Sequence, residues 1–378
     1  MAAFGQVVER VVEQVAQVGR VVGRVLEQVA QVARGRPTAA FGRVAQVARG
    51  RLAGGRARWR RGSSRPRVEV VLMVLSLFVL FAAVSAGVML YQGVLVARGT
   101  AAAMNVPASV VVALAAAASL ACLCAHYAGG NPAMLARLLR LSDVGLCLAA
   151  DLLVATVVLG VATAVVARRS EDGGLPAWLG VVGVVLALAL VFSVTLAYDQ
   201  SAISKIGRIA GRFFTQLAYV LSATIAAGAF ATLATAALAG DDAGVALARR
   251  AALPGVLLTV LGMGGCLLWY GLSGDAGSLT GTQVNFTTNI TIATTDATRS
   301  GWAASAAPAT LGELIAANAL AFWGGAVAVG LACPAALGLV AWRTGIDARR
   351  VQAIVGLAGL VCVAVGVLGF GTIMPSLM

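Results

Sequence analysis

The chain has 378 residues, of which 60% are hydrophobic and 11% charged, and its formal net charge is +13. A soluble domain carries about 25% charged residues, so this chain has too little polar surface to cover a soluble all-helical fold. The apolar residues come in blocks of about 20, the length that crosses the hydrocarbon layer of a bilayer. We therefore expect an all-α integral membrane protein, a bundle of about eight transmembrane helices with seven to nine admissible, preceded by an amphipathic N-terminal helix.

The basic residues and the cysteines carry different kinds of information. Lys205 is the only lysine, and this preference for arginine indicates a GC-rich bacterium or a GC-rich DNA virus as the source. All six cysteines lie in apolar segments, where they are expected to behave as small buried hydrophobes. Cys122 and Cys124 have the wrong spacing for a redox or zinc pair, and His126 is the only histidine. We expect neither a metal site nor a cofactor.

Residues 1–33 have an amphipathic pattern in which apolar residues recur at spacings of four and three from Phe4 to Val32. Two readings remain open. The helix could pair with a second copy of itself through residues 4–32, since β-branched residues at the seam suit two strands. It could instead lie in a membrane surface, and the width of its apolar stripe favours this second reading.

Residues 34–68 form an Arg-rich tether, with eleven arginines and no acidic residue between positions 34 and 67. A basic run directly before a transmembrane helix is typical of a cytoplasmic flank that contacts anionic lipids. Only Trp59 accompanies the arginines and no recognition fold is visible, so nucleic-acid binding is not expected. The arginines assigned to lipid contact are Arg56, Arg58, Arg60, Arg61, Arg65 and Arg67.

The remaining chain divides into a six-span bundle (69–273), a polar Thr-rich loop (274–313) and a two-span C-terminal segment (314–378). The predicted spans are 69–95, 106–127, 143–167, 176–198, 213–239, 250–273, 314–342 and 351–376. Small residues are dense throughout, and in lipid they allow helices to approach closely.

The polar loop conflicts with the tether. It holds two candidate glycosylation sequons, at Asn285 and Asn289, which would have to lie in the lumen to be used. The tether belongs in the cytoplasm by the positive-inside rule, and eight spans place the loop on the same side as the tether. We expect a lumenal loop and a span count that differs from eight by one. Span 3 could be re-entrant, or 302–342 could split into two crossings around Trp323-Gly324-Gly325, although this split would leave the sequons cytoplasmic.

Ionisable residues within a span are costly and default to functional hypotheses. Asp151 is the strongest candidate, with His126 as a possible partner; the competing reading places Asp151 near the interface, in contact with water. No Ser–His–acid set, paired catalytic carboxylates or Walker motif can be assembled, so we expect no enzymatic activity. Matched halves with broken helices, the usual trace of a carrier, are absent, although Pro254 and Pro334 stand within predicted spans.

In its length, GC bias, Arg-rich N-terminus, Ala/Val/Gly-rich spans and Thr-rich sequon loop, the chain resembles an alphaherpesvirus membrane protein. The similarity is to the multi-spanning envelope protein of the unique-long region, whose family is distantly similar to equilibrative nucleoside transporters, and it covers the architecture of residues 69–378. The resemblance implies a non-enzymatic constituent of the virion envelope and of host secretory membranes. Such a protein would act in assembly, trafficking or modulation of fusion, with other envelope or tegument proteins as partners. The alternative is a small-molecule, nucleoside-like transporter of viral or GC-rich bacterial origin.

Overall fold

The structure, a computed structural model, describes residues 65–100, 103–128, 144–170, 172–198, 210–273 and 311–371. From Arg67 onward these belong to one compact, helical unit. The amphipathic segment, most of the tether and the sequons lie outside the described residues. The helices are α1 (Arg65–Ala97), α2 (Asn105–Ala128), α3 (Val144–Arg169), α4 (Ala177–Tyr198), α5 (Ala210–Ala239), α6 (Asp242–Ser273), α7 (Leu311–Ala317), the π-helix π1 (Leu320–Ala332), α8 (Cys333–Arg343) and α9 (Arg349–Gly371).

Eight helical segments within these ranges are long and apolar enough to cross a membrane, with π1 and α8 forming the seventh together. Their length and composition make the chain a multi-pass integral membrane protein, as the sequence predicted. The predicted boundaries are close to the observed ones except at α6 and at the start of the seventh span, which is predicted at 314 and begins at Leu320. Helix α6 begins at Asp242, eight residues before the predicted start at 250, because Asp241 caps it, and Arg249 and Arg250 therefore lie about two turns inside the helix.

The centre of the bundle is the crossing of α1 and α5. A Cβ built on Gly87 would lie 2.6 Å from the Cα of Gly228, so only glycine permits this approach. These two helices are also the most buried, with 72% and 78% of their span residues inside the protein. In lipid, where apolar side chains gain little by leaving the solvent, backbone contact of this kind holds helices together.

Four connections between spans have described residues, and these meet at one end of the bundle, here called the short-loop end: residues 98–100 with 103–104, 170 with 172–176, 240–241 and 344–348. Asn105 donates from Nδ2 to the carbonyl of Gly173 (3.0 Å), and the amide of Met104 donates to Asp241 Oδ2 (3.3 Å). Arg349, the first residue after the last connection, forms an ion pair with Asp242 (3.0 Å). Consecutive spans therefore alternate in direction, and the start of α1 and the end of α6 lie at the opposite end.

The alternating directions of α1 to α6 leave no place among these helices for the additional or missing crossing that the sequence predicted. Span 3 is not re-entrant: α3 runs antiparallel to α2, with Gly160 against Ala113 and Thr163 hydrogen bonded to Ser109. Between α1 and α6 the stretches outside the description are 101–102, 129–143, 171 and 199–209, and each is shorter than the roughly 20 residues that a crossing needs. The helix ends that flank the tether and the sequon loop thus lie on the same side.

The alternative division of the seventh span is also wrong, because Leu320–Arg343 is one uninterrupted helical segment. Its first half is a π-helix, and the change to α-helix falls at Cys333, whose amide still donates to the carbonyl of Ala328. Pro334 is the physical reason for the change, since it lacks the N–H that would continue the ladder and tolerates only the first turn of a helix. Pro254, by contrast, lies inside α6 without ending it.

Candidate functional site: a buried polar seam between α1, α2 and α3

A ladder of polar contacts joins α1 to α2 along their length. Ser119 donates to the carbonyl of Phe78 (2.9 Å), and Ser85 donates to the carbonyl of Val112 (3.0 Å). Both serines are fully buried. Each bond joins one helix to the other and fixes their register. The row of bonds continues towards the short-loop end.

At that end the ladder widens into a cluster of four buried side chains. Gln92 donates from Nε2 to the carbonyl of Asn105 (3.1 Å) and to Ser109 Oγ (2.8 Å). Thr163 of α3 donates to the same Ser109 oxygen (3.0 Å). Ser109 therefore accepts from two helices, and Asn105 extends the cluster to the loop at Gly173. We call Gln92, Asn105, Ser109 and Thr163 the polar cluster.

A small cavity of about 20 Å³ lies beside the polar cluster, lined by residues that include Gln92, Thr163, Gly160 and Gly180. A cavity of this size holds one water molecule. The cluster consists of amides and hydroxyls, which donate and accept hydrogen bonds but do not change charge near neutral pH. Its chemistry is thus the binding of a small neutral polar molecule, or the mutual satisfaction of its own groups, rather than proton transfer.

Charged residues gather at the short-loop end around the α5–α6 turn. Asp241 is buried and accepts from the amides of Gly244 (2.8 Å) and Met104, which ties this turn to the α1–α2 connection. Arg249 donates to the carbonyl of Thr344 (2.6 Å). Within the described residues no group of three or more His, Cys, Asp or Glu side chains is placed to hold a metal ion.

Asp151 lies in the second turn of α3, and its side chain is exposed on the outside of the bundle. It therefore faces lipid or the interface, not the polar cluster. His126 lies in the last turn of α2, and its side chain is outside the description. Arg65 and Arg67 belong to the first turn of α1, whereas Asn285, Asn289, Arg56, Arg58, Arg60 and Arg61 all lie outside the described residues.

A second, larger space is a groove of about 390 Å³ between α5 and α6. Its lining is almost wholly apolar and includes Phe214, Leu258 and Leu261, all of which are exposed on the outer surface. An acyl chain of the bilayer suits such a groove.

The fold and these sites define a multi-pass, all-α membrane protein in which buried side-chain hydrogen bonds join α1, α2 and α3. Comparisons with protein-family models, with curated proteins and with solved structures give no match to this chain.

Sequence reasoning missed the polar cluster because it searched the spans for ionisable residues. A usable signal was present: Ser85 and Gln92 are seven residues apart on α1, and Asn105 and Ser109 are four apart on α2. Both spacings place polar groups on one helix face, which in a membrane helix marks the side that packs against another helix.

Proposed function

We propose that the chain is a non-enzymatic, multi-pass constituent of a viral envelope that acts through contacts with other membrane proteins, in assembly, trafficking or the modulation of fusion. The observation that supports this proposal is the tight crossing at Gly87 and Gly228, where the backbones of the two most buried helices touch. In the polar cluster, Gln92 and Thr163 both donate to Ser109, so these three side chains are engaged with one another. This packing supports a protein that acts through the surface it presents to other membrane proteins.

The experiment expresses the full chain in mammalian cells together with viral fusion glycoproteins. We expect the chain to fractionate with secretory membranes, to enter enveloped particles and to change the extent of cell–cell fusion. The matched variants are Gly87→Leu, which breaks the central crossing, and Gly264→Leu on α6, where an added Cβ would meet nothing within 4 Å. Loss of particle incorporation in the first variant alone supports the proposal, whereas absence of wild-type chain from particles contradicts it.

The orientation belongs to the same proposal: the end of the bundle that holds the tether faces the cytoplasm, and the sequons are unused. The tether contributes eleven arginines at one end, more than the arginines of any described connection. A glycosidase mobility assay on the wild type and on Asn285→Gln/Asn289→Gln tests this orientation. We expect no shift in either chain, and a shift that is lost in the double variant would place the sequons in the lumen.

A nucleoside-like transporter is the second candidate, favoured by the cavity next to Gln92 and Thr163. The purified chain in proteoliposomes would then take up a labelled nucleoside. Thr163→Val, which keeps the shape of the side chain but removes its hydroxyl, would lower that uptake. Uptake at the level of empty liposomes removes this candidate and leaves the envelope proposal standing.

A further inference from the structure

Two cysteine thiols meet between the seventh and eighth spans. Cys333 is the first residue of α8, and Cys362 lies midway along α9. Their side chains are neighbours, although they are 29 positions apart in the sequence (362 − 333), and both are free thiols. Cys333 is exposed on the outside of the bundle, so it does not fit the expectation that the cysteines are small buried hydrophobes.

The backbones of the two helices touch one turn away from the thiols. One turn away, a Cβ built on Gly366 would lie 2.6 Å from the Cα of Gly330, so the two helices touch there without side chains between them. The two helices run antiparallel, and Cys333 follows Gly330 by three residues while Cys362 precedes Gly366 by four, so both cysteines lie on the next turn along the same contact. A disulfide needs Cα atoms about 4.4–6.8 Å apart, so it forms only between helices that pack closely, as these two do at Gly330 and Gly366.

The pair also sits at a distinctive point of the seventh span. Cys333 marks the change from π-helix to α-helix, next to the buried Pro334. A covalent link from this position to α9 would fix the register of the junction against its neighbour. The exposure of Cys333 makes the site reachable from the lipid, so a lipid-soluble oxidant can arrive without opening the bundle.

We propose that Cys333 and Cys362 form a redox-active dithiol that a hydroperoxide closes to a disulfide, locking the seventh span to the eighth. One sulfur attacks the outer oxygen of the peroxide, the O–O bond breaks, and a sulfenic acid and an alcohol form. The second thiol then attacks the sulfenic sulfur and water leaves. The two sulfurs give up two electrons in total, the peroxide takes them, and both thiol protons end on oxygen.

The test uses the full chain in lipid vesicles with the other four cysteines changed to alanine, namely Cys122, Cys124, Cys147 and Cys266. Vesicles are treated with cumene hydroperoxide, remaining thiols are blocked with N-ethylmaleimide, and intact mass and non-reducing gel mobility are recorded. We expect a monomer that takes no maleimide after oxidation and takes two after reduction with dithiothreitol. A chain that keeps both maleimide sites, or one that oxidises to a dimer, overturns the proposal.

The matched control moves one thiol to another side of α9 by combining Cys362→Ala with Leu360→Cys, so the number of cysteines stays the same. Two residues along a helix turn a side chain by about 200°, which removes the contact. We expect intramolecular closure at least about tenfold slower in this control, since proximity sets the rate. Equal closure in both chains overturns the proposal, and equal thermal melting of the reduced chains shows that both are folded.

Discussion

The central helices and the outer helices of this bundle differ in how burial relates to hydropathy. In α1 and α5, 72% and 78% of the span residues are buried, whereas the figure is 28% for both α3 and the seventh span. Yet α5, the most buried span, has the lowest mean hydropathy of the eight. Apolar side chains on the outside of the bundle are stabilised by contact with lipid. Inside the bundle, small residues and hydrogen bonds hold the helices together.

The outer surface of the bundle is apolar where it faces the lipid. Along α3 the exposed side chains include Val154, Val158, Val161 and Val165, spaced by three and four residues on one face. In a soluble protein such a stripe would mark a buried face. Here it marks the lipid-facing side, so hydrophobicity alone assigns inside and outside incorrectly.

The largest loss of stability is expected from one carbon added at the central crossing. Gly87→Ala places a Cβ against the carbonyl of Thr224 and the backbone of Gly228, and neither backbone can yield without separating α1 from α5. We expect a loss of about 2–3 kcal/mol of unfolding free energy, the cost of overpacking a close contact. Unfolding in mixed micelles with increasing dodecyl sulfate measures it.

The matched control is Gly264→Ala on α6, where the added carbon meets nothing within 4 Å. Alanine is intrinsically better than glycine in a helix, so this change is expected to be neutral or to stabilise by up to about 1 kcal/mol. Equal unfolding midpoints for the two variants would show that the central contact does not hold the bundle together.

The polar cluster should give the next largest effect. Ser109→Ala removes the oxygen that accepts from both Gln92 and Thr163, but each donor keeps a backbone acceptor. We expect a loss of about 1 kcal/mol, since a hydrogen bond between membrane helices contributes less than about 2 kcal/mol. Ser193→Ala is the control, because this equally buried serine donates only to the carbonyl of Leu190 in its own helix. A similar loss in both variants would contradict a role in joining helices.

These contrasts show how far the sequence alone leads. Hydrophobic blocks predicted the membrane class and the approximate spans, because the thickness of the bilayer fixes their length. They did not predict which helices are central, because burial in lipid depends on the fit between Gly87 and Gly228 and not on hydropathy. The pairing of Cys333 with Cys362 was hidden for the same reason, since it depends on the contact between two antiparallel helices.

The same chemical change at two aspartates separates the inside from the outside. Asp241→Asn removes one of the two acceptor oxygens that serve Gly244 and Met104, together with a charge at the start of α6, and should cost about 1 kcal/mol. Asp151→Asn, on the exposed face of α3, should change stability by less than about 0.5 kcal/mol. Both are measured by the unfolding assay above. A larger effect at Asp151 would indicate a partner for its carboxylate, and a loss of solute uptake in that variant would support the transporter.

The smallest effect belongs to the ion pair of Arg349 with Asp242, whose side chains are 48% and 58% exposed. An exposed pair gains little in water and is screened by salt, so Arg349→Gln should cost about 0.2–0.5 kcal/mol at low ionic strength. At 1 M salt the difference from wild type should nearly vanish. Arg350→Gln, at the next and also exposed position, is the control for loss of charge alone. If Arg349→Gln lost more than about 1 kcal/mol of unfolding free energy and the loss persisted in salt, lipid head groups would be desolvating the ion pair. The short-loop end would then stabilise the bundle in addition to the central crossing.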